Sequence, residues 1–288
     1  MCDSDSNQGL IVDTSYSRRS VLLTISSAAI LAGLPEAALA ANVTETNVMV
    51  PTPDGKADAV LFHPAGAGPW PAVLMWPDIL GLRPVFRDMG RRLAAAGYTV
   101  LVPNPFYRVK RAPVVTGPFD FNNKDDLAKV FSLKDGLTDT MVGRDAVAFI
   151  SFLDKQNQTN RRKPAAVQGY CFSGPFAFRT AAERSDRIGA VATFHGGGLV
   201  TTDADSPHLL IPKTKASFLV AIARNDDQKQ PDAKTVLKKA FAAAKRPAVV
   251  EVYPADHGWC VAGGPAYDAK SAERAWAELL RFYRARLA

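Results

Sequence analysis

Short apolar runs alternate along most of the chain with segments whose apolar residues recur every three to four positions. The continuous apolar runs at 71–76 and 98–102 are typical of strands buried on both faces of a sheet. Between them, residues 83–96 show the spacing of an amphipathic helix, which Gly97 ends. The alternation continues to the C-terminus and predicts strands at 165–168, 190–194, 217–223 and 249–253 and helices at 137–156, 175–184, 232 onward and 268–287.

Strands that alternate with helices require right-handed crossover connections and so produce a mostly parallel sheet covered on both faces. Near the start, two extended runs, 46–50 and 57–63, flank Asp54-Gly55, and this pair predicts the tight turn of a hairpin. Residues 106–135 show weak periodicity and predict a long loop with short helical pieces, of the kind that often carries function. The predicted fold class is therefore α/β, with one twisted, mostly parallel sheet in a single domain.

The N-terminal region carries an apolar stretch at 21–34 that is too short to span a bilayer. An arginine pair at 18–19 precedes it, and a small-x-small cleavage pattern ends at Ala40. This order resembles a twin-arginine export signal over residues 1–40, followed by a mature domain over 41–288. We therefore expect a periplasmic or secreted protein with no stable membrane span after the signal is removed.

The chain has 35 lysines and arginines against 28 acidic residues, a net charge of +7. The basic residues form short scattered clusters without interleaved aromatic residues, which favours solvated surfaces over a nucleic-acid site. A positive field would still concentrate an anionic small molecule. Cys2 would leave with the signal, and we expect Cys171 and Cys260 to remain free thiols, with a disulfide between them as the alternative in an oxidising periplasm.

Residues 169–174, Gly-Tyr-Cys-Phe-Ser-Gly, lie between a predicted strand and a predicted helix. An α/β-hydrolase presents its nucleophile at such a turn, where the residues two before and two after the nucleophile must be small. Gly169 fits this pattern, and Ser173 replaces the second glycine with a small change in volume. The sequence therefore predicts Cys171 as the nucleophile, and a buried inert cysteine is the alternative.

The order nucleophile, acid, base along the chain selects the partners of Cys171 in this fold. His257 alone among the four histidines follows both Cys171 and the carboxylates after the strand at 217–223, so it is the predicted base. Asp226 is the predicted acid that fixes the imidazole tautomer, and Asp227 is a close rival.

The oxyanion loop of this fold must precede the nucleophile. The stretch at 195–198, His-Gly-Gly-Gly, matches the oxyanion loop of some esterases but follows Cys171, so chain order excludes it. The segment after the strand at 71–76 is correctly placed, which predicts the backbone N–H groups of Ile79 and Phe172 as the oxyanion hole. Candidate pocket residues, for which packing and surface charge are an equal alternative, are Phe106, Tyr107, Arg108 and Trp259.

Several motifs stand in a characteristic order along residues 45–287, namely Asp78-Ile79-x-Gly81, Gly169-Tyr170-Cys171, Asp226 and Tyr253-x-x-x-His257-Gly258. With them, the sequence resembles the dienelactone hydrolase (carboxymethylenebutenolidase) family. The resemblance implies a Cys-Asp-His triad that hydrolyses lactones or activated esters through an acyl-enzyme, with no cofactor or metal. It also implies that an acidic residue, here Asp78 in place of the usual glutamate, keeps the resting thiol neutral. The family's carboxylate-binding arginine is Val261 here.

The predicted function is hydrolysis of a small-molecule ester or lactone, possibly anionic, by a monomer or homodimer with no nucleic-acid partner. One alternative is a general exported carboxylesterase or thioesterase that uses the same triad. Another is a non-catalytic relative that binds a ligand or senses redox state through Cys171 and Cys260.

Overall fold

The computed structural model describes residues 42–117 and 119–288. Within them, eight strands form one sheet in the order β1-β2-β4-β3-β5-β6-β7-β8. The strands are β1 Val43–Thr52, β2 Gly55–Pro64, β3 Ala72–Trp76, β4 Thr99–Pro103, β5 Ala165–Tyr170, β6 Ile188–Phe194, β7 Ser217–Ala223 and β8 Ala248–Tyr253. The α-helices are α1 Pro84–Ala95, α2 Lys124–Asp135, α3 Asp139–Asp154, α4 Gly174–Glu183, α5 Arg224–Lys229, α6 Ala233–Ala243 and α7 Ala269–Arg286. The predicted signal at 1–40 lies outside the described residues.

The antiparallel part of the sheet is the predicted hairpin of β1 and β2, whose last pair is Thr52 with Gly55. Gly55 has φ of +138°, a conformation that other residues rarely adopt, and this explains the glycine at the turn. β2 also pairs antiparallel with β4, and all further pairings are parallel. The hairpin and the mostly parallel sheet are therefore confirmed.

Two apolar cores cover the two faces of the sheet, and β3 illustrates why. All five of its residues are buried, as expected for a strand inside a two-sided sheet. Leu74 and Trp76 pack into the core formed with α3, α4 and α6, whereas Val73 and Met75 pack into the core formed with α1 and α7. Side chains alternate between the faces of a strand, so a continuous apolar run supplies both cores.

The region between β4 and α3 is more ordered than the sequence predicts. In place of short helical pieces it contains the twelve-residue helix α2, which Asn123 caps by accepting from the N–H groups of Asp125 and Asp126. Only Val130 of this helix is buried, which explains its weak apolar pattern. The sequence analysis also missed α5 and a 3₁₀ helix over Pro207–Lys213.

Membrane spans are not found among the described helices, since none combines the required length and apolarity. The parallel strands β3 to β8 point the same way, so the loops that follow them meet at one edge of the sheet. This edge brings together the segments that carry Ile79, Cys171, His195, Asp226 and His257.

Candidate active site

Cys171 directly follows β5 at the turn into α4, with φ of +57°. That region is costly for a residue with a side chain, and such strain is concentrated at functional positions. The turn is also tight, because a Cβ on Gly169 would lie 2.2 Å from the Ser173 carbonyl oxygen, and one on Gly174 would lie 2.7 Å from the Gly196 Cα. The backbone therefore requires glycine at both positions to hold Cys171 in this conformation.

Ser173, which stands where the second glycine was expected, stabilises the turn through hydrogen bonds of its side chain. Its buried hydroxyl accepts a hydrogen bond from the Tyr170 N–H at 2.9 Å. The same hydroxyl lies 3.0 Å from the carbonyl oxygens of Trp76 and Tyr170, to either of which it can donate. The serine thereby ties the nucleophile turn to the end of β3.

The predicted acid and the predicted base are in contact, and their roles stay a prediction. Asp226 lies in α5, and its Oδ2 is 2.6 Å from Nδ1 of His257, in the loop after β8. Asn225 supports the pair by accepting the His257 backbone N–H at 2.9 Å, a contact the sequence did not indicate. The rival Asp227 binds the ammonium of Lys234 at 2.7 Å with both oxygens, so the geometry favours Asp226.

The electrostatics of His257 are set by burial and by two neighbours. Burial lowers its pKa, but hydrogen bonds to Asp226 and Cys171, together with their charges, outweigh burial and raise the pKa to about 10. The candidate acid and the candidate nucleophile thus both favour the protonated imidazole.

The predicted oxyanion donors follow the neighbouring strands β3 and β5. Ile79 follows β3 and lines the cavity described below. Its N–H donates no hydrogen bond within residues 42–117 and 119–288. Phe172 directly follows Cys171, and its ring stacks on Phe106 with centroids 5.5 Å apart. Both N–H groups are thus on the segments where the sequence placed the oxyanion hole, and their role stays a prediction.

Asp78, the predicted thiol-controlling residue, is engaged by a cation. Arg83 donates to its Oδ1 at 2.5 Å and to its Oδ2 at 2.8 Å, and the Leu80 N–H adds a bond of 3.0 Å to Oδ1. This bidentate pair neutralises the carboxylate at the cavity wall. Control of the thiol by Asp78 stays a prediction, and Arg83 is a neighbour the sequence analysis did not name.

A cavity of about 710 Å³ opens above Cys171 and His257. In the part of the chain that the structure describes, the polar side chains that line it are Asp78, Arg83, Cys171, His195 and His257. Its apolar lining includes Ile79, Leu80, Val85, Val115, Phe119, Phe121, Leu127, Val130, Phe131, Val261, Ala262 and Ala266. The segment before α2 and α2 itself thus form one wall, and the loop after His257 forms another.

The four predicted pocket residues make other contacts, and their role in a substrate pocket stays a prediction. Arg108 binds Asp145 at 2.7 Å and Asp54 at 2.6 Å, and the Tyr107 hydroxyl donates to Asp145 at 2.9 Å. Phe106 is buried against Phe172, and Trp259 is buried against Tyr253 and His195. None of the four lines the cavity, because buried partners distant in sequence hold each of them.

His195 is the cavity residue that the sequence analysis set aside. It directly follows β6, and its ring centroid is 4.9 Å from that of His257 and 5.0 Å from that of Trp259. Chain order excluded its loop as an oxyanion loop but gave no other role to the side chain.

Both cysteines of the described residues, Cys171 and Cys260, are free thiols.

Comparison with known proteins gives a consistent family assignment. The sequence profile of the Dienelactone hydrolase family matches residues 57–287. A protein of Methylorubrum extorquens named "Putative carboxymethylenebutenolidase" is 27% identical over 294 residues, which cover 96% of each chain. A protein of Escherichia coli with the same name is 26% identical over 227 residues, 75% of this chain and 78% of the relative.

Solved structures agree in fold. A structure titled "Putative Dienelactone Hydrolase" from Klebsiella pneumoniae superposes with a TM-score of 0.73 at 22% identity, covering 84% of this chain and 98% of that one. A dienelactone hydrolase-like promiscuous phosphotriesterase from metagenomic libraries superposes with a TM-score of 0.69 at 21% identity, covering 86% and 100%. The predicted resemblance and the α/β-hydrolase fold are confirmed. Since the profile covers the sheet from residue 57 of β2 to β8 and every segment of the site, the chain belongs to the dienelactone hydrolase family and is a hydrolase.

Proposed function

We propose that this protein hydrolyses a small ester or lactone through a thioester formed on Cys171. One observation carries the proposal: Asp226 Oδ2 lies 2.6 Å from Nδ1 of His257, and His257 lines the same cavity as Cys171 at its strained turn. A nucleophile beside a base that a carboxylate orients is the arrangement used for acyl transfer.

In the first half-reaction, His257 takes the thiol proton of Cys171 and the resulting thiolate attacks the acyl carbon, while the N–H groups of Ile79 and Phe172 stabilise the oxyanion. The bond to the leaving oxygen then breaks, and that oxygen takes a proton from His257. In the second half-reaction, water adds to the thioester carbon and gives a proton to His257. The carbon–sulfur bond breaks, the acid is released, and Cys171 regains its thiolate beside protonated His257.

The cavity supports an uncharged, largely apolar substrate. Among residues 42–117 and 119–288, Arg83 is the only lysine or arginine that lines it, and Asp78 already neutralises Arg83. Val261 lies in the lining at the place where the family resemblance implies a carboxylate-binding arginine. We therefore favour an apolar ester or lactone over a carboxylate-bearing lactone, which is the substrate that the names of the curated relatives suggest.

Replacement of the nucleophile tests the proposal. With p-nitrophenyl butyrate as substrate, Cys171→Ala and Cys171→Ser are expected to lose at least about a thousandfold in kcat/KM. Cys260→Ser is the matched control and keeps activity, since Cys260 does not line the cavity. Undiminished hydrolysis in both Cys171 variants would falsify the proposal and favour the non-catalytic alternative.

We also propose that residues 1–40 export the folded enzyme to the periplasm or the medium. The support is the order of arginine pair, apolar stretch and cleavage pattern. Cell fractionation measures this directly, and the double variant Arg18→Lys, Arg19→Lys is expected to stay in the cytoplasm. Export of that variant at the level of the native chain would contradict the proposal.

A further inference from the structure

His195 combines two unfavourable features that the mechanism above does not use. It follows β6 with φ of +42°, in the region that favours glycine. The residue is only 1% exposed, and neither Nδ1 nor Nε2 has a hydrogen-bond partner among the residues that the structure describes. Buried polar groups are almost always paired, so two orphaned nitrogens on a strained residue indicate a missing ligand.

The surroundings of His195 show where such a ligand enters. Trp259 and Tyr170 pack against the imidazole, with ring centroids 5.0 and 6.1 Å away. His257 lies on another side at 4.9 Å, with the two rings at 61°. His195 also lines the cavity together with Cys171 and His257. A polar partner can therefore reach the imidazole from the cavity, beside the predicted base.

The size and charge of the space beside the His195 imidazole favour a water molecule as its partner. A side chain that is only 1% exposed leaves no room beside it for a bulky part of a substrate, so its partner must be small. Burial, and then the charge of His257, hold the pKa of His195 well below its usual range, so its imidazole is neutral and carries one donor and one acceptor. A bound water needs two to four polar partners, and His195 and His257 supply two of them.

We propose that His195 positions the water that hydrolyses the thioester on Cys171. This inference rests on the proposed function. The water hydrogen-bonds both His195 and Nε2 of His257; its oxygen bonds to the acyl carbon while its proton passes to His257. The carbon–sulfur bond then breaks, the thiolate leaves and the carboxylic acid departs. His195 exchanges no proton and is a positioning residue, needed for deacylation and not for acylation.

Rapid mixing with p-nitrophenyl acetate separates the two half-reactions, because acylation releases nitrophenolate and deacylation limits its later turnover. His195→Phe keeps an aromatic ring and removes both nitrogens. His195→Asn restores a donor and an acceptor and tolerates positive φ. In the Phe variant we expect acylation within about twofold of the native rate and deacylation about tenfold or more slower. In the same Phe variant, mass spectrometry should find an acetyl group accumulating on Cys171. The Asn variant should recover most of the deacylation rate.

Two results overturn the inference. One is deacylation of the Phe variant within about twofold of the native rate. The other is an equal loss of acylation and deacylation in both variants, which indicates a purely structural role. Thermal unfolding checks that each variant folds; if Phe does not, His195→Leu replaces it, because Leu has nearly the shape of Asn without its polar atoms. Failure of the proposed function is distinguishable, since Cys171→Ala then stays active and no acetyl group appears on Cys171 in any variant.

Discussion

Neighbouring residues of the same type acquire different roles here through their contacts. Asp226 and Asp227 are adjacent and chemically identical, yet Asp226 reaches His257 while Lys234 binds Asp227. The carboxylate that contacts the imidazole also helps to raise its pKa to about 10. At this scale, the partner of a side chain decides its function more than its type does.

Replacement of Asp226 tests this distinction. Asp226→Asn removes the charge that stabilises imidazolium, so the pKa of His257 should fall and kcat/KM should drop by about a hundredfold or more. NMR titration of the imidazole and steady-state kinetics measure the two effects. Asp227→Asn is the control, with a change of about twofold or less expected, because it loses a contact to partly exposed Lys234. A larger loss in the Asp227 variant would reverse the assignment.

Among the elements, α2 has the most direct consequence for substrate choice. Its apolar residues Leu127, Val130 and Phe131 face the cavity, and only Val130 is buried. A helix that lines a cavity in this way buries little surface against the core, so its periodicity in the sequence is weak. The element that the pattern failed to predict is thus the one that forms an apolar wall.

Truncation of this wall should change selectivity for the acyl chain. Phe131→Ala is expected to lower kcat/KM about fivefold for p-nitrophenyl hexanoate and to leave the acetate nearly unchanged, because only the longer chain reaches the wall. Lys129→Ala, on the same helix with its side chain 71% exposed, is the control. Equal effects of Phe131→Ala on both esters would show that the wall does not contact the substrate.

In the molecule as a whole, stability and the site depend on different buried polar groups. Asp145 of α3 is held by Arg108 and Tyr107, and Arg108 also binds Asp54 at the hairpin turn. This cluster links the hairpin, the segment after β4 and α3, and none of its members lines the cavity. It connects distant parts of the chain without taking part in the proposed chemistry.

Loss of Arg108 should therefore affect folding and not turnover. Arg108→Met leaves the Asp145 carboxylate buried without its cation, with an expected loss of about 3 kcal/mol in the free energy of unfolding. Below the melting temperature, kcat/KM should stay within about twofold of the native value. Arg144→Met, whose 46% exposed side chain pairs only with Asp54, should cost less than about 1 kcal/mol. Urea unfolding and steady-state kinetics on both variants check this. A change in KM in the Arg108 variant alone would show that Arg108 contacts the substrate.

The sequence alone predicted the sheet, the hairpin and the family, and it named Cys171, Asp226 and His257 as the candidate triad. These features depend on local periodicity, on glycines such as Gly169 that a tight turn demands, and on chain order. All three can be identified from the order of residues along the chain. Only the tertiary structure placed Arg108 with Asp145, Arg83 with Asp78, and His195 beside His257. Such contacts join residues through the packing of several elements, and burial without a partner becomes visible only once that packing is complete.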